Sequence, residues 1–381
     1  MRKIITFFKK ELMLTLSLTA ALAAMFITPP TFQRFKELDW HTLGTLFMML
    51  CVLEGFKREN VLKPLIGFAV KLKTMTALSL FMIFGVFFTS MFVTNDVSLI
   101  IFVPLTIFTF RSAGKEKYIL PVITMENIAA IRGSLLTPFG SPQNLFLYGQ
   151  SGTNIGNFML HMLPLSLMSA ALLIAFVIFL YRKNIHEEMT ADPASVSGKW
   201  EKAGRTKRIT YIILFGLIIF VIVSRTQYWY IAAAIVLAAI LIVDRRLLLK
   251  VDYILLVTFL CFFIFSSSIA ANETIASFLK DAVAGQEYWW AIGLSQVISN
   301  VPASIVLYPF TENFAGLIYG ADTAGLVSII GSLASVINYR IYIREYPGNG
   351  KKFLKTFTLI SLAFFAIVVI PGYLLCKWRF F

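Results

Sequence analysis

The sequence predicts an all-α polytopic membrane protein with inverted-topology repeats, each carrying a re-entrant helical hairpin and a broken helix. Three observations predict it. Of the 381 residues, 58% are hydrophobic and 14% charged, too apolar and too charge-poor for a soluble domain of this length. Apolar runs long enough to cross a bilayer recur along the whole chain. Twice, such a stretch is interrupted near its middle by a short Asn-centred tripeptide, Thr94-Asn95-Asp96 and Ser299-Asn300-Val301. Lipid supplies no water for backbone N–H and C=O groups, so a break of this kind persists only where it is buried in protein or lines a cavity.

A crossing helix needs about 20 apolar residues, with about 17 as a lower limit. Full spans are therefore expected near 12–28, 40–56, 118–136, 158–181, 209–224, 229–243, 251–271, 323–339 and 354–375. The basic start, Arg2, Lys3, Lys9 and Lys10, followed by an apolar run with Ala21-Leu22-Ala23, resembles a secretory signal; a first membrane helix is the expectation here. The arms around Ser299-Asn300-Val301 have about ten residues each, too short to cross at 1.5 Å per residue. A re-entrant hairpin over 288–310 fits them. Val97–Phe110 after Asp96 is also short of a crossing, so 75–110 is read as a second hairpin.

Basic residues set the orientation. Lys57, Arg58, Lys63, Lys71 and Lys73 follow the second span, Arg111, Lys115 and Lys117 follow the first hairpin, and no Lys or Arg occurs from Gly133 through Tyr181. The N-terminus, 182–208, 244–250 and 340–355 are then cytoplasmic, and Tyr228-Trp229-Tyr230 and Tyr288-Trp289-Trp290 lie at the outer interface. Nine spans and two hairpins place the C-terminus outside.

Each half reads span, span, hairpin, span, span. The first repeat is 1–181, with its cytoplasm-side hairpin and a broken helix over 118–150; 182–208 is a solvated linker. The single span 209–224 inverts the second repeat, 225–381, with its outside hairpin and a span over 323–343. Ile131-Arg132-Gly133-Ser134-Leu135 echoes Ile329-Ile330-Gly331-Ser332-Leu333. Inverted repeats with discontinuous helices are the pattern of a secondary transporter whose site lies near the midplane.

The net charge of +14 is spread through short loops, where it fixes topology, and does not indicate nucleic acid. Cys51, Cys261 and Cys376 lie in separate apolar segments, and His41, His161 and His186 are scattered; neither set has the spacing of a disulfide framework or zinc site. No His-Glu metal motif or Cys-His pairing supports an intramembrane enzyme.

The candidate chemistry lies at the breaks. A helix restarting inside a membrane offers free N–H groups and a positive dipole end, which favour an anion. Ser299-Asn300-Val301-Pro302 and Ser141-Pro142-Gln143-Asn144 have this form, with a turn that binds nothing as the alternative. The Gly- and Pro-rich stretch from Gly133 to Asn144 should unwind its helix, and freed carbonyls with Ser134, Thr137, Ser141 and Asn144 oxygens suit a small hard cation. Gly331 to Asn338, with Ser332 and Ser335, is the less broken partner. Asp96 is costly in a bilayer and suits a coupling cation or proton, or else caps the outgoing hairpin arm. Arg132, deep on its helix, suits an anionic substrate or a structural ion pair.

Ser90 to Asp96 followed by Pro104, Leu136 to Asn144, and Ser295 to Pro302 together resemble the ion transporter superfamily, which includes divalent-anion/sodium symporters, citrate transporters, arsenite permeases and some sodium/proton antiporters. The resemblance covers nearly the whole chain in order. It implies a homodimer in the lipid bilayer, with a scaffold part and a transport part in elevator-type alternating access. In the carboxylate branch, Ser-Asn-Thr tips bind substrate carboxylates and help ligate sodium. Both tips here keep the Asn and lose the third hydroxyl, and Asp96 is closer to the arsenite-permease and citrate-transporter side.

The expected function is secondary active transport of a small anion, carboxylate or oxyanion, coupled to sodium or protons, in the cytoplasmic membrane of a bacterium. The alternatives are a sodium/proton antiporter or an arsenite-type efflux permease. Substrate would meet Thr94, Asn95, Ser141, Asn144, Ser299, Asn300 and Arg132. The coupling ion, sodium if a metal is used, would meet Asp96, Thr137, Ser134, Ser332 and Ser335.

Overall fold

A computed structural model of the chain describes residues 11–29, 31–59, 61, 72–188 and 205–378. Lys63 and Lys71, the basic N-terminus and most of the 182–208 linker lie outside the described residues. The described residues form helices joined by turns and loops, with one isolated antiparallel bridge between Thr74 and Glu188. The helices are α1 (Leu12–Ile27), α2 (Phe32–Glu37), α3 (Trp40–Arg58), α4 (Met75–Val93), α5 (Asn95–Ser112), α6 (Ile119–Ser134), α7 (Pro142–Ser151) and α8 (Ile155–Leu180). After the linker come α9 (Arg205–Ser224), α10 (Trp229–Asp244), α11 (Tyr253–Ala270), α12 (Glu273–Val283), α13 (Glu287–Ile298), α14 (Asn300–Leu307), α15 (Phe314–Ala324), α16 (Leu333–Glu345) and α17 (Gly350–Cys376).

Starts follow cap chemistry, with a side-chain oxygen taking an amide that the helix cannot satisfy. Asp39 accepts from the Thr42 amide at 2.9 Å, Asp252 from Leu255 at 3.0 Å and Asn313 from Gly316 at 3.0 Å. The chain is a multi-pass membrane protein: α4, α5, α8, α9, α11 and α17 are each long and apolar enough to cross.

Two differences from the sequence reading concern lengths. The first hairpin's arms run 19 and 18 residues, because Asn95 and Asp96 belong to α5 and only Thr94 is non-helical at the tip. An acidic residue in a helix's first turn is favoured by the dipole, so the polar tripeptide starts a helix as much as it ends one. The expected span 323–343 is not one helix. It is broken at 325–332, between α15 and α16, although no proline marks the place.

Packing sorts the helices into two groups. α1 lies along α11, and α3 packs on α9, α10 and α11. In the other group α4 and α5 pack on α6, while α13 and α14 pack on α15. The two halves of this group interleave: α16 lies on α5 and α6, and α7 lies on α14 and α15. The packing of each broken helix on its hairpin, and of its second half on the other broken helix, therefore has a counterpart.

The start of the linker is tied back to the first hairpin. The Met75 amide donates to the Glu187 carbonyl at 2.8 Å, and Thr76 Oγ1 donates to the Ile185 carbonyl at 2.6 Å. The Glu187 carboxylate accepts from Lys115 Nζ at 2.7 Å and from the Tyr118 hydroxyl at 2.6 Å. These two bonds, Lys115 first, hold its pKa below the usual glutamate value. Stability from this clamp is present above the ordinary value of about 4.3 and is lost as pH falls through the lowered one. Glu187→Gln should therefore speed hydrogen exchange over 183–188 at neutral pH, and the difference from wild type should vanish on acidification.

Candidate functional site

The hairpin tips share one unusual backbone. Thr94 has φ 70° and ψ 155°, and Ser299 has φ 68° and ψ 162°. A residue with a Cβ seldom adopts this region, and such strain costs about 1–3 kcal/mol where it is maintained. Each of these residues joins two helices that double back on each other, and the strained residue frees the amides at the start of α5 and α14. Hydroxyls lock the tips: Ser98 Oγ donates to the Thr94 carbonyl at 3.0 Å, and Ser304 Oγ to the Asn300 carbonyl at 2.9 Å. Asn95 and Asn300 are buried. Asn95 Oδ1 accepts from the Asp96 amide at 2.9 Å, which turns its amide nitrogen away from that bond.

Each tip has a break beside it. Thr137, in the 135–141 break, donates to the Met91 carbonyl near the first tip. Gly133 lies so close to α4 that a Cβ there would stand 2.0 Å from the Phe87 carbonyl oxygen. The two breaks leave by the same device. A Cβ on Gly140 would meet the Ser134 carbonyl oxygen at 2.4 Å, and one on Gly331 would meet the Ala324 carbonyl oxygen at 2.2 Å, each the last carbonyl of the preceding helix. Ser141 and Ser332 follow as extended cap residues, with φ −149° and −148°. Gly331-Ser332 thus corresponds to Gly140-Ser141, and the sequence echo with Gly133-Ser134 is out of register.

The freed carbonyls are met by amide side chains. Asn144 Nδ2 donates to the carbonyls of Ser134 at 3.1 Å, Leu135 at 3.3 Å and Thr137 at 3.4 Å, and its Oδ1 is buried without a partner among the described residues. In the second break Gln296 does the same work, Nε2 donating to Ala324 O at 3.2 Å while Oε1 accepts from Ser328 at 2.7 Å. Sequence reading missed Gln296, although it stands three residues before the tip.

Three candidates meet around one cavity of about 370 Å³: Thr94, Asp96 and Ser141. Its far wall is α3 and the start of α11, and Lys57, Lys250, Glu54 and Asp252 stand at its charged end. Asp96 lies in the first turn of α5, not at its cap, and its Oδ1 is buried without a partner among the described residues. Asn95, Ser299 and Asn300 are buried and do not line this cavity.

Other candidates are placed differently. Arg132 does not line the 370 Å³ cavity. Fully buried, its Nη1 pairs with Asp322 Oδ2 at 2.5 Å, and its Nη2 donates to Thr323 at 3.4 Å, joining the ends of α6 and α15. Asp322 escaped the sequence reading; its signal was a lone carboxylate in an apolar stretch, with its partner 190 residues away. Ser134 turns back on the Ile131 carbonyl at 2.9 Å, and Ser335 accepts from Asn127 Nδ2 at 3.0 Å, facing α6 and not a tip. Ser332 is buried and makes no side-chain cap bond. Among the described residues no cluster of His, Cys, Asp and Glu is arranged to hold a metal.

The citrate transporter family model matches residues 3–331 of the chain. The inner membrane protein YbiR of Escherichia coli is 30% identical over 344 residues, 89% of this chain and 88% of that one. An uncharacterized transporter of Methanocaldococcus jannaschii is 28% identical over 347 residues, 90% and 92% of the two chains. With its strained tips, its paired breaks and a cavity beside the first of them, the chain belongs to the citrate transporter family and is a multi-pass membrane transporter, not an enzyme.

Proposed function

We propose that the protein carries a small anion, carboxylate or oxyanion, across the membrane in exchange for the free energy of a sodium or proton gradient. The observation that carries this reading is the shared backbone of Thr94 and Ser299. Strain repeated at two tips, each beside a broken helix, presents free amides and an Asn to one small anion from two sides. Asn95 and Asn300 donate to substrate oxygens, with Thr94, Ser299 and Ser141 assisting. Asp96 and the carbonyls around Thr137 serve the coupling ion. In this reading the end of the 370 Å³ cavity that carries Lys57 and Lys250 faces the cytoplasm, which the positive-inside rule supports, and this shape is the inward-facing one. The hairpin group moves against the α1, α3, α9, α10 and α11 group in elevator fashion, and two copies form the transporter.

Proteoliposomes loaded to accept citrate test this. Asn95→Ala and Asn300→Ala should each lower uptake about tenfold or more, the effect of losing one hydrogen bond to a charged ligand. Full activity in both would overturn the two-tip site. The unpartnered Asp96 oxygen favours one second reading, cation/proton antiport. In the same vesicles, pH-dependent sodium exchange without anion movement, abolished by Asp96→Asn, would establish that reading.

A further inference from the structure

A second cavity, of about 300 Å³, lies at the opposite end of α3, and the proposed function makes no use of it. His41, Thr45, Tyr148, Arg225, Gln227 and Trp229 line it, from α3, the end of α7 and the turn between α9 and α10. The aromatic run Tyr228-Trp229-Tyr230 puts it at the outer interface. Leu145 of α7 lines both this cavity and the cytoplasmic one.

The lining is rich in donors and lacks a free acid. Arg225 Cζ stacks 4.2 Å from the centre of the Tyr148 ring, and its Nη2 donates to the Tyr148 carbonyl at 2.5 Å. No carboxylate pairs with Arg225 among the described residues. Nearby Asp39 is already engaged, by the Thr42 amide at 2.9 Å, the Thr42 hydroxyl at 2.5 Å and Gln150 Nε2 at 2.7 Å. Three polar atoms of this lining are buried without partners among the described residues: His41 Nε2, Arg225 Nε and the Tyr148 hydroxyl. Arg225 also holds φ at 49°, a left-handed conformation that a non-glycine residue keeps only under constraint from its surroundings. An unpaired guanidinium fixed by a ring, beside idle donors, matches the oxygens of a carboxylate or oxyanion.

We propose that this outer cavity is a second anion-binding site, taking a small carboxylate or oxyanion between α3 and α7 on the external side. The inference stands on its own donor set and does not require the hairpin tips to be the substrate site. Trp229 in its wall is the reporter. In lipid nanodiscs, citrate or sulfate should produce a saturable fluorescence change that Trp229→Phe removes. Arg225→Gln should weaken that binding about tenfold or more, the loss of a charge-assisted hydrogen bond. Tyr148→Phe should weaken it less, and it decides the question should Arg225→Gln fail to fold, which melting without anion will show. Asn95→Ala should leave the Trp229 signal intact. No Trp229-dependent change with either anion would overturn the proposal. So would a change that Arg225→Gln and Tyr148→Phe leave as in wild type, or one that Asn95→Ala abolishes.

Discussion

Asp322→Ala should be among the most destabilising single substitutions in the chain, at about 3–5 kcal/mol, because it leaves the Arg132 guanidinium buried with no countercharge. Both side chains are essentially sealed from solvent, at 0% and 1% exposure, so no water can replace the lost partner. Arg132→Met combined with Asp322→Leu should recover most of the loss, since removing both charges removes the desolvation cost with them. Thermal unfolding in detergent checks both statements. An Asp322→Ala protein that melts with wild type would show that the pair does not hold α6 to α15.

Gly140→Ala and Gly331→Ala are the second pair of large effects. Each adds a Cβ where a backbone carbonyl oxygen already stands, 2.4 Å away for Gly140 and 2.2 Å for Gly331. Backbone cannot rotate aside as a side chain can, so the exit of each break must widen. Overpacking of this kind costs about 1–3 kcal/mol, and the displaced cap residue should abolish transport well before the protein unfolds. Gly216→Ala on α9, where nothing lies within 4 Å of a new Cβ, is the control and should leave uptake and melting unchanged. Equal loss of uptake in all three would remove the argument.

The parts legible in the sequence were those that lipid forbids. Asn95, Asn300 and the Pro-rich run through Pro138 and Pro142 interrupt apolar helices with groups that need partners, and each marks a real interruption. The second break escaped because it uses no such residue. From Gly325 to Ser332 it is mostly small or aliphatic, and its hydropathy is that of a span. The Gly-Ser echo was real, but Gly133-Ser134 and Gly140-Ser141 both fit it, and only the carbonyl beneath each glycine tells which one exits a break. Arg132 carried two readings that local pattern cannot separate. Its partner lies 190 residues further on, and contacts over such a separation leave no spacing to read.

The Arg132–Asp322 pair also limits how the molecule can change shape. It rivets the end of one broken helix to the end of the other, at the place where the two halves interleave. A motion that rocked one repeat against the other would pull the rivet apart and leave two bare charges in a medium that solvates neither. Sliding both broken helices as one block past α3 and α11 leaves it untouched. For the proposed elevator motion, the ion pair would thus act as a kinematic constraint, removing the degree of freedom between the two broken helices and leaving the one between the groups.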